Sequence, residues 1–263
     1  MVGRRIGTGL LVTAIAATLA ACGGGDDDAA AGDGAVGGEV QVFAAASLTD
    51  VFEEVATVFE EAHPDADVTF NFAGSSALVT QVAEGAPADV LATASPGTMD
   101  DAVAADVVDG SPEVFARNAL VLAVPAGNPG EIAGLDGLAD GERFVGLCAD
   151  DVPCGTLAAD VLADAGVTPS VDTYEPDVRS LLTKITSGEL DAGLVYRTDA
   201  QAAGDDVEVI EVPGLAEQTT AYPTSVVRDA PNTEAAELFV ELVLSDEGQA
   251  ILAEAGFQAG GGG

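Results

Sequence analysis

Four short segments place hydrogen-bond donors where a strand gives way to a helix. In the first, residues 40–50, Ser47 follows an apolar strand and precedes a helical pattern. Similar junctions occur at Ser75, Cys154 and Val178. N–H groups at the start of a helix lack partners within it, and together with serine hydroxyls they can hold a small anion. The junctions therefore predict an anion site built from uncharged donors.

The elements around these junctions follow a regular order. From residue 39 onward, short apolar strands alternate with amphipathic helices, which is typical of an α/β fold with a mostly parallel sheet. Ser47 is the predicted N-cap of the first helix. A later helix is predicted over residues 176–186, with Pro176 in the first position, which proline favours.

Two crossings along the chain predict two lobes around a cleft, an arrangement suited to capturing a ligand by closure. Segments near 118–125 and 221–227 are the predicted hinge strands. The predicted lobes are residues 39–117 plus 226–257 for the first and residues 118–225 for the second.

Residues 1–21 have the form of an export signal. Arg4 and Arg5 precede an apolar stretch that ends in Leu-Ala-Ala-Cys, which resembles a lipobox with cleavage and lipidation at Cys22. The alternative is a transmembrane anchor, although the apolar stretch is short for a span of about 20 residues.

Glycine, alanine and aspartate dominate the segment that follows. Residues 22–38 are predicted as a flexible linker, and residues 258–263 as a disordered tail. We expect an extracytoplasmic protein, periplasmic or on the outer face of the cytoplasmic membrane, that touches the membrane only through the lipid at Cys22.

The chain is strongly acidic, with a formal net charge of -37. Nucleic acids and anionic lipid surfaces require basic patches, so the composition argues against both as partners. High ionic strength would screen the self-repulsion. An anion must therefore be attracted by local geometry and not by the overall charge.

Cys148 and Cys154 lie six residues apart. Outside the cytoplasm such a pair can form a disulfide, which would contribute roughly 2 kcal/mol by restricting the unfolded chain. Two free thiols are the alternative.

Several segments resemble the molybdate-binding proteins of bacterial ABC importers, within the type II periplasmic-binding-protein superfamily. They are, in chain order, VFAAASLT at 42–49, FAGSS at 72–76, GAPADV at 85–90, VPCG at 152–155, DVR at 177–179, GLVY at 193–196, and SDEGQAIL at 245–252 with the following Gly-Phe at 256–257. The resemblance spans roughly residues 39–257. It implies two lobes, each a mostly parallel sheet flanked by helices.

The resemblance also implies a ligand set. Ser47 and Ser75 would each donate through the hydroxyl and the backbone N–H, Cys154 and Val178 through the backbone N–H, and Tyr196 through its phenol. Cys154 departs from the small residue that is usual in the family, but a backbone donor tolerates a different side chain. The implied function is capture of molybdate or tungstate and delivery to a permease driven by a cytoplasmic ATPase, by a monomer without a cofactor.

The chemistry of molybdate suits such a pocket. Near neutral pH it is a dianion whose four oxygens only accept hydrogen bonds. Phosphate carries a proton that needs an acceptor, and leaving it unpaired would cost roughly 1–3 kcal/mol. Sulfate has the same charge and the same demand for donors, so only the size of the cavity can separate it from molybdate.

Other functions find less support in the sequence. A serine hydrolase needs a base, yet the one histidine, His63, lies beside a proline at a helix end, and there is no Gly-x-Ser-x-Gly motif. We therefore expect no enzyme. A binding protein for sulfate or for ferric iron is the alternative, the latter through Tyr174, Tyr196 and Tyr222.

Two arginines adjoin proposed site residues. Arg179 follows Val178, and Arg197 follows Tyr196. Each either raises the local potential for an anion or forms a surface salt bridge to one of the many acids.

Overall fold

Strands and helices alternate along the part of the chain that the structure describes. The structure is a computed structural model that describes residues 36–261. The predicted signal at 1–21, the lipidation residue Cys22 and most of the predicted linker lie outside the described residues.

The strands are β1 (Gly37–Ala45), β2 (Asp65–Ala73), β3 (Val90–Ala92), β4 (Glu113–Pro125), β5 (Val145–Cys148), β6 (Thr173–Glu175), β7 (Ala192–Tyr196), β8 (Val207–Ile210), β9 (Thr219–Val226) and β10 (Gln258–Ala259). The helices are α1 (Thr49–Ala62), α2 (Ser75–Ala83), α3 (Pro96–Ala104), α4 (Pro153–Ala165), α5 (Val178–Thr186), α6 (Arg197–Ala203), α7 (Thr233–Leu244) and α8 (Asp246–Glu254).

The strand order is β2-β1-β3-β9-β4-β7-β5-β6, with β8 and β10 pairing with β4. β1 runs parallel to β2 and β3 at one end of the order, and β5 runs parallel to β6 and β7 at the other. The long strand β4 connects the two groups. Residues 113–119 of β4 pair with β9, and residues 120–125 pair with β7 and β8.

Helix α1 shows how amphipathic spacing places the core. The apolar residues on one face of the helix, including Phe52 and Phe59, are buried. The Phe52 ring lies 5.7 Å from that of Phe115 on β4 and 5.9 Å from that of Phe239 on α7, measured between centroids. Burying one such side chain stabilises the fold by about 1.5–3 kcal/mol. These contacts hold the β1–α1 junction in place.

The structure differs from the sequence prediction at both ends of the described range. The predicted linker extends to residue 38, but β1 begins at Gly37, where it pairs with Asp65. A disordered tail is predicted from residue 258, but Gln258 and Ala259 pair antiparallel with β4. Backbone pairing in a sheet edge can order a segment this short without any apolar pattern in its own sequence.

Two predicted helix starts are wrong. Ser47 does not cap α1; it lies in a 3-10 turn, Ala46–Leu48, and α1 begins at Thr49. Pro176 is not the first residue of α5, because Asp177 is the N-cap and its carboxylate accepts a hydrogen bond from the Ser180 N–H at 2.8 Å. A capping aspartate satisfies an N–H that would otherwise lack a partner, so it sets the start of the helix.

Candidate functional site

Four chain turns meet at one small cavity. Its volume is about 20 Å³, slightly more than the roughly 10–15 Å³ that a water molecule requires. The lining residues are Ala45, Ala46, Ser47, Ala73, Gly74, Ser75, Ala94, Val152, Pro153, Cys154, Asp177 and Val178. The structure thus brings together four of the five residues predicted from the sequence: Ser47, Ser75, Cys154 and Val178.

Three helices begin at the cavity wall. Ser75 is the first residue of α2, Cys154 the second of α4 and Val178 the first of α5. Their N–H groups have no acceptor within the helices, and each helix adds the positive end of its dipole. The cavity therefore lies where three sets of fixed partial positive charges meet.

Ser47 reaches the cavity from the turn between β1 and α1. The residue is buried, and its Oγ lies 2.9 Å from the phenol oxygen of Tyr222 on β9. This contact replaces the capping role that the sequence suggested. The Tyr222 hydroxyl thus helps to fix the position of the Ser47 side chain.

A hydrogen bond also fixes the position of the Ser75 hydroxyl. Its Oγ accepts a hydrogen bond of 3.1 Å from the backbone N–H of Ala94, a residue that also lines the cavity. Because a backbone N–H can only donate, the hydroxyl proton of Ser75 remains available to another acceptor.

A disulfide joins Cys154 to Cys148 at the end of β5. The bond links the strand to the first turn of α4 and so restrains the backbone that carries the Cys154 N–H. Both half-cystines are buried. The cysteine side chain at position 154 therefore constrains the loop through the disulfide. The backbone N–H of Cys154 remains at the start of α4.

One carboxylate-bearing residue lines the cavity. Asp177 precedes Val178, and its two carboxylate oxygens accept hydrogen bonds from the N–H and the hydroxyl of Ser180, at 2.8 and 3.0 Å. The carboxylate is thus engaged with its own helix. This segment therefore contributes the N-terminus of α5 to the cavity and not a free carboxylate.

Tyr196 stands apart from the other predicted residues, because it does not line the cavity. It ends β7, is buried, and its hydroxyl has no hydrogen-bond partner among the described residues. Burial raises the pKa of Tyr196 far above its ordinary value, and the charge of Asp199 acts in the same direction. The phenol of Tyr222 opposes part of this rise from close by, without reaching hydrogen-bond geometry. The Tyr196 hydroxyl therefore keeps its proton and donates it to no other group among the described residues.

Sequence reasoning missed Tyr222 as a site residue. The sequence suggests Tyr222 only as a ligand to iron, yet its buried ring lies 5.8 Å from that of Tyr196 and its hydroxyl contacts Ser47. The contact joins residues 175 positions apart, and nothing near residue 222 in the sequence signals it.

Arg179 forms salt bridges, which was one of the two roles open to it. Its guanidinium pairs with Asp50 on α1 and lies 3.1 Å from Asp199 on α6. The contact to Asp199 has the distance of an ion pair but not the alignment of a hydrogen bond. Burial raises the pKa of Asp199 to about 7; Arg179 lowers it, while Asp50 and Asp177 raise it. The positive charge of Arg179 is thus shared between two carboxylates.

The site as a whole suits an anion that needs only donors. Among residues 36–261, no group of three or more His, Cys, Asp and Glu side chains is arranged to hold a metal cation. In the same range, no helix is both long and apolar enough to cross a membrane.

Comparison with known proteins places the chain in a family. A family model described as bacterial extracellular solute-binding protein matches residues 40–258. The molybdate-binding protein ModA of Mycobacterium tuberculosis is 34% identical over 253 residues, which cover 96% of this chain and 97% of that protein.

Two solved structures share the fold. The periplasmic molybdate-binding protein of Azotobacter vinelandii has a TM-score of 0.68 at 19% identity, covering 83% of this chain and 98% of that one. The sulfate-binding protein SubI of M. tuberculosis has a TM-score of 0.74 at 22% identity, covering 84% and 86%. The predicted type II periplasmic-binding-protein fold and the predicted family resemblance are both confirmed. The chain belongs to the bacterial extracellular solute-binding proteins, among the relatives of the molybdate-binding protein ModA.

Proposed function

We propose that this protein captures molybdate, and also tungstate, outside the cytoplasmic membrane and delivers it to an ABC permease with a cytoplasmic ATPase. The observation that carries the proposal is the meeting of three helix starts and two serines at one small cavity. The match to ModA over nearly the whole chain supports molybdate as the ligand.

The proposed ligand contacts are those predicted from the sequence. Ser47 and Ser75 donate through their hydroxyls and N–H groups, and Cys154 and Val178 through their N–H groups. Tyr196, which lies outside the cavity lining, is the proposed fifth donor. Its unpaired buried hydroxyl supports this role, because a buried donor without a partner is costly until a ligand oxygen accepts its proton.

The acidity of the chain does not prevent such binding. Fixed dipoles act at short range, whereas charges beyond about 10 Å are screened at 0.1 M salt. A dianion whose oxygens only accept hydrogen bonds would satisfy every donor at the wall. Binding would therefore depend on geometry and be little affected by net charge.

We propose two lobes, residues 39–117 plus 226–257 and residues 118–225, with β4 and β9 as the hinge strands. Two contacts between these segments support a closed arrangement in the structure. Arg179 pairs with Asp50, and the Ser76 hydroxyl donates to the carbonyl oxygen of Asp151. Closure would surround the ligand and exclude water.

The proposed setting is the outer side of the cytoplasmic membrane, with a lipid at Cys22 as anchor and a monomer as the working form. The family consists of extracellular solute-binding proteins, so binding and not catalysis is the expected activity, and the ion is cargo and not a cofactor.

Sulfate is the second candidate ligand, since it has the same charge and the similar fold of SubI supports it. A ferric site finds less support. Tyr174 is 56% exposed and therefore does not join the buried pair Tyr196 and Tyr222.

Calorimetric titration of the mature protein tests the proposal. Molybdate, tungstate, sulfate and phosphate are compared at matched ionic strength, and we expect molybdate and tungstate to bind far more tightly than phosphate. Each of Ser47→Ala and Ser75→Ala should weaken molybdate binding roughly ten- to a hundredfold, as expected for a hydrogen bond to a charged group. Ser111→Ala, at an exposed serine, is the matched control. Absence of molybdate binding by the wild type would refute the function, and unchanged affinity in both cavity variants would refute the site.

A further inference from the structure

Both cavity serines contact another hydrogen-bonding group through their side-chain oxygens. The Ser75 Oγ accepts from the Ala94 N–H at 3.1 Å, and the Ser47 Oγ lies 2.9 Å from the Tyr222 hydroxyl. At Ser75 the direction is certain, because an amide N–H has no acceptor capacity. At Ser47 either hydroxyl has the geometry to donate.

The direction of the hydrogen bond at Ser47 decides what Ser47 offers to the cavity. A serine hydroxyl has one proton, which it can give either to Tyr222 or to the cavity. If Ser47 donated to Tyr222, only its oxygen lone pairs would face an anion, and the contact would be repulsive. If Tyr222 donates, the Ser47 proton is free for an anion oxygen.

Packing against three aromatic rings fixes the position of the Tyr222 ring. Its ring makes edge-to-face contacts with Phe115, Tyr196 and Phe257, at centroid distances of 6.3, 5.8 and 5.5 Å. Burial raises the pKa of Tyr222 well above its ordinary value, so the phenol keeps its proton. The direction of its O–H is then the one remaining freedom.

We propose that Tyr222 is a positioning residue that donates its proton to Ser47 and thereby commits Ser47 to donate into the cavity. The inference rests on the proposed function. It gives the site a means of selecting fully deprotonated tetrahedral oxyanions, since each serine then presents its proton, and not a lone pair, to the ligand.

A double-mutant cycle tests the proposal with molybdate as the probe. Tyr222→Phe keeps the ring contacts and removes only the hydroxyl. We expect it to weaken molybdate binding roughly three- to tenfold, the range of one neutral hydrogen bond. In the Ser47→Ala background the same change should have almost no further effect, because Tyr222 acts through Ser47. Tyr174→Phe, at a 56% exposed tyrosine, is the matched control.

A second readout separates positioning from a general loosening of the fold. Hydrogenphosphate at about pH 8 is also a dianion but carries one proton. Without Tyr222 the Ser47 hydroxyl is no longer oriented as a donor and can turn to accept that proton, so Tyr222→Phe should lower the ratio of molybdate affinity to phosphate affinity, measured by competition. A purely structural defect would weaken both ligands alike.

The outcomes are distinct from those that test the proposed function. A wild type that binds molybdate, with Ser47→Ala weakened but Tyr222→Phe unchanged, overturns the role of Tyr222 alone. Additive losses in the double variant overturn it as well. A wild type that binds no tetrahedral oxyanion overturns the proposed function itself.

Discussion

A Cβ atom added at Gly74 would lie 2.4 Å from the carbonyl oxygen of Pro176. Gly74 precedes α2, and Pro176 lies two residues before α5. The backbone at Gly74 is extended in an ordinary region, with φ of -59°, so any L-residue could adopt it. Glycine is required here because a side chain would collide with Pro176, and not because of the backbone conformation. The two helix starts can approach the same cavity only because this side chain is absent.

Gly74→Ala should therefore weaken molybdate binding. Overpacking of this kind costs about 1–3 kcal/mol, which corresponds to roughly five- to a hundredfold in Kd. Calorimetric titration measures the change. Gly97→Ala is the control, because nothing lies within 4 Å of a Cβ at that position. Equal affinities for the two variants would show that the close approach is not needed for binding.

Removing the salt bridge between Asp50 and Arg179 should speed ligand release. Asp50 is 59% exposed, and an exposed ion pair contributes about 0.2–1 kcal/mol. Asp50→Asn should then raise the dissociation rate about 1.5- to fivefold, with a smaller change in the association rate, as followed by stopped-flow fluorescence or ligand competition. Asp106→Asn is the matched control, since Asp106 forms an exposed pair with Arg228 at 2.7 Å. Identical dissociation rates would count against a contact that holds the lobes closed.

Asp199 should make folding stability depend on pH. Its pKa in the folded protein is about 7, above the ordinary value of 3.8, so the folded state holds the proton more tightly than the unfolded chain. The contribution of Asp199 is therefore most favourable below about pH 4, declines as the pH rises to about 7, and is constant above that.

Comparison with Asp199→Asn isolates this effect, since all other acids are common to both chains. The free energy of unfolding of the wild type relative to the variant, from urea titrations at several pH values, should fall between about pH 4 and 7. A difference that does not change with pH would contradict the raised pKa.

Loss of the disulfide should lower stability more than it lowers affinity. The bond closes a short loop between Cys148 and Cys154, worth roughly 2 kcal/mol. The double variant Cys148→Ala, Cys154→Ala should lose about that much free energy of unfolding in urea. Molybdate affinity should fall only several-fold, because the Cys154 N–H remains at the start of α4. Full loss of binding would mean that the disulfide itself, and not the helix start, positions the donor.

The parts of the site that could be predicted from sequence are those with local signals. Ser75, Cys154 and Val178 lie at strand-to-helix junctions that are visible in the sequence, and in the structure they are the first or second residues of α2, α4 and α5. Composition and strand–helix alternation were likewise sufficient for the α/β class.

The remaining features depend on contacts between distant segments. Tyr222 reaches Ser47 across 175 residues, and the two residues of β10 pair with β4, which lies more than 100 positions earlier in the chain. Pro176 shows a different limit. Proline suits a first helical position, but the aspartate that follows it forms the cap and moves the start of α5 by two residues.

The position of β9 between β3 and β4 has a consequence for how the chain folds. A chain that emerges amino terminus first exposes the facing edges of β3 and β4 until residues 219–226 have appeared. Those edges offer unpaired backbone groups to other chains in the meantime. The sheet can therefore form completely only after the last fifth of the sequence is available. A chain truncated before β9 would be prone to aggregate.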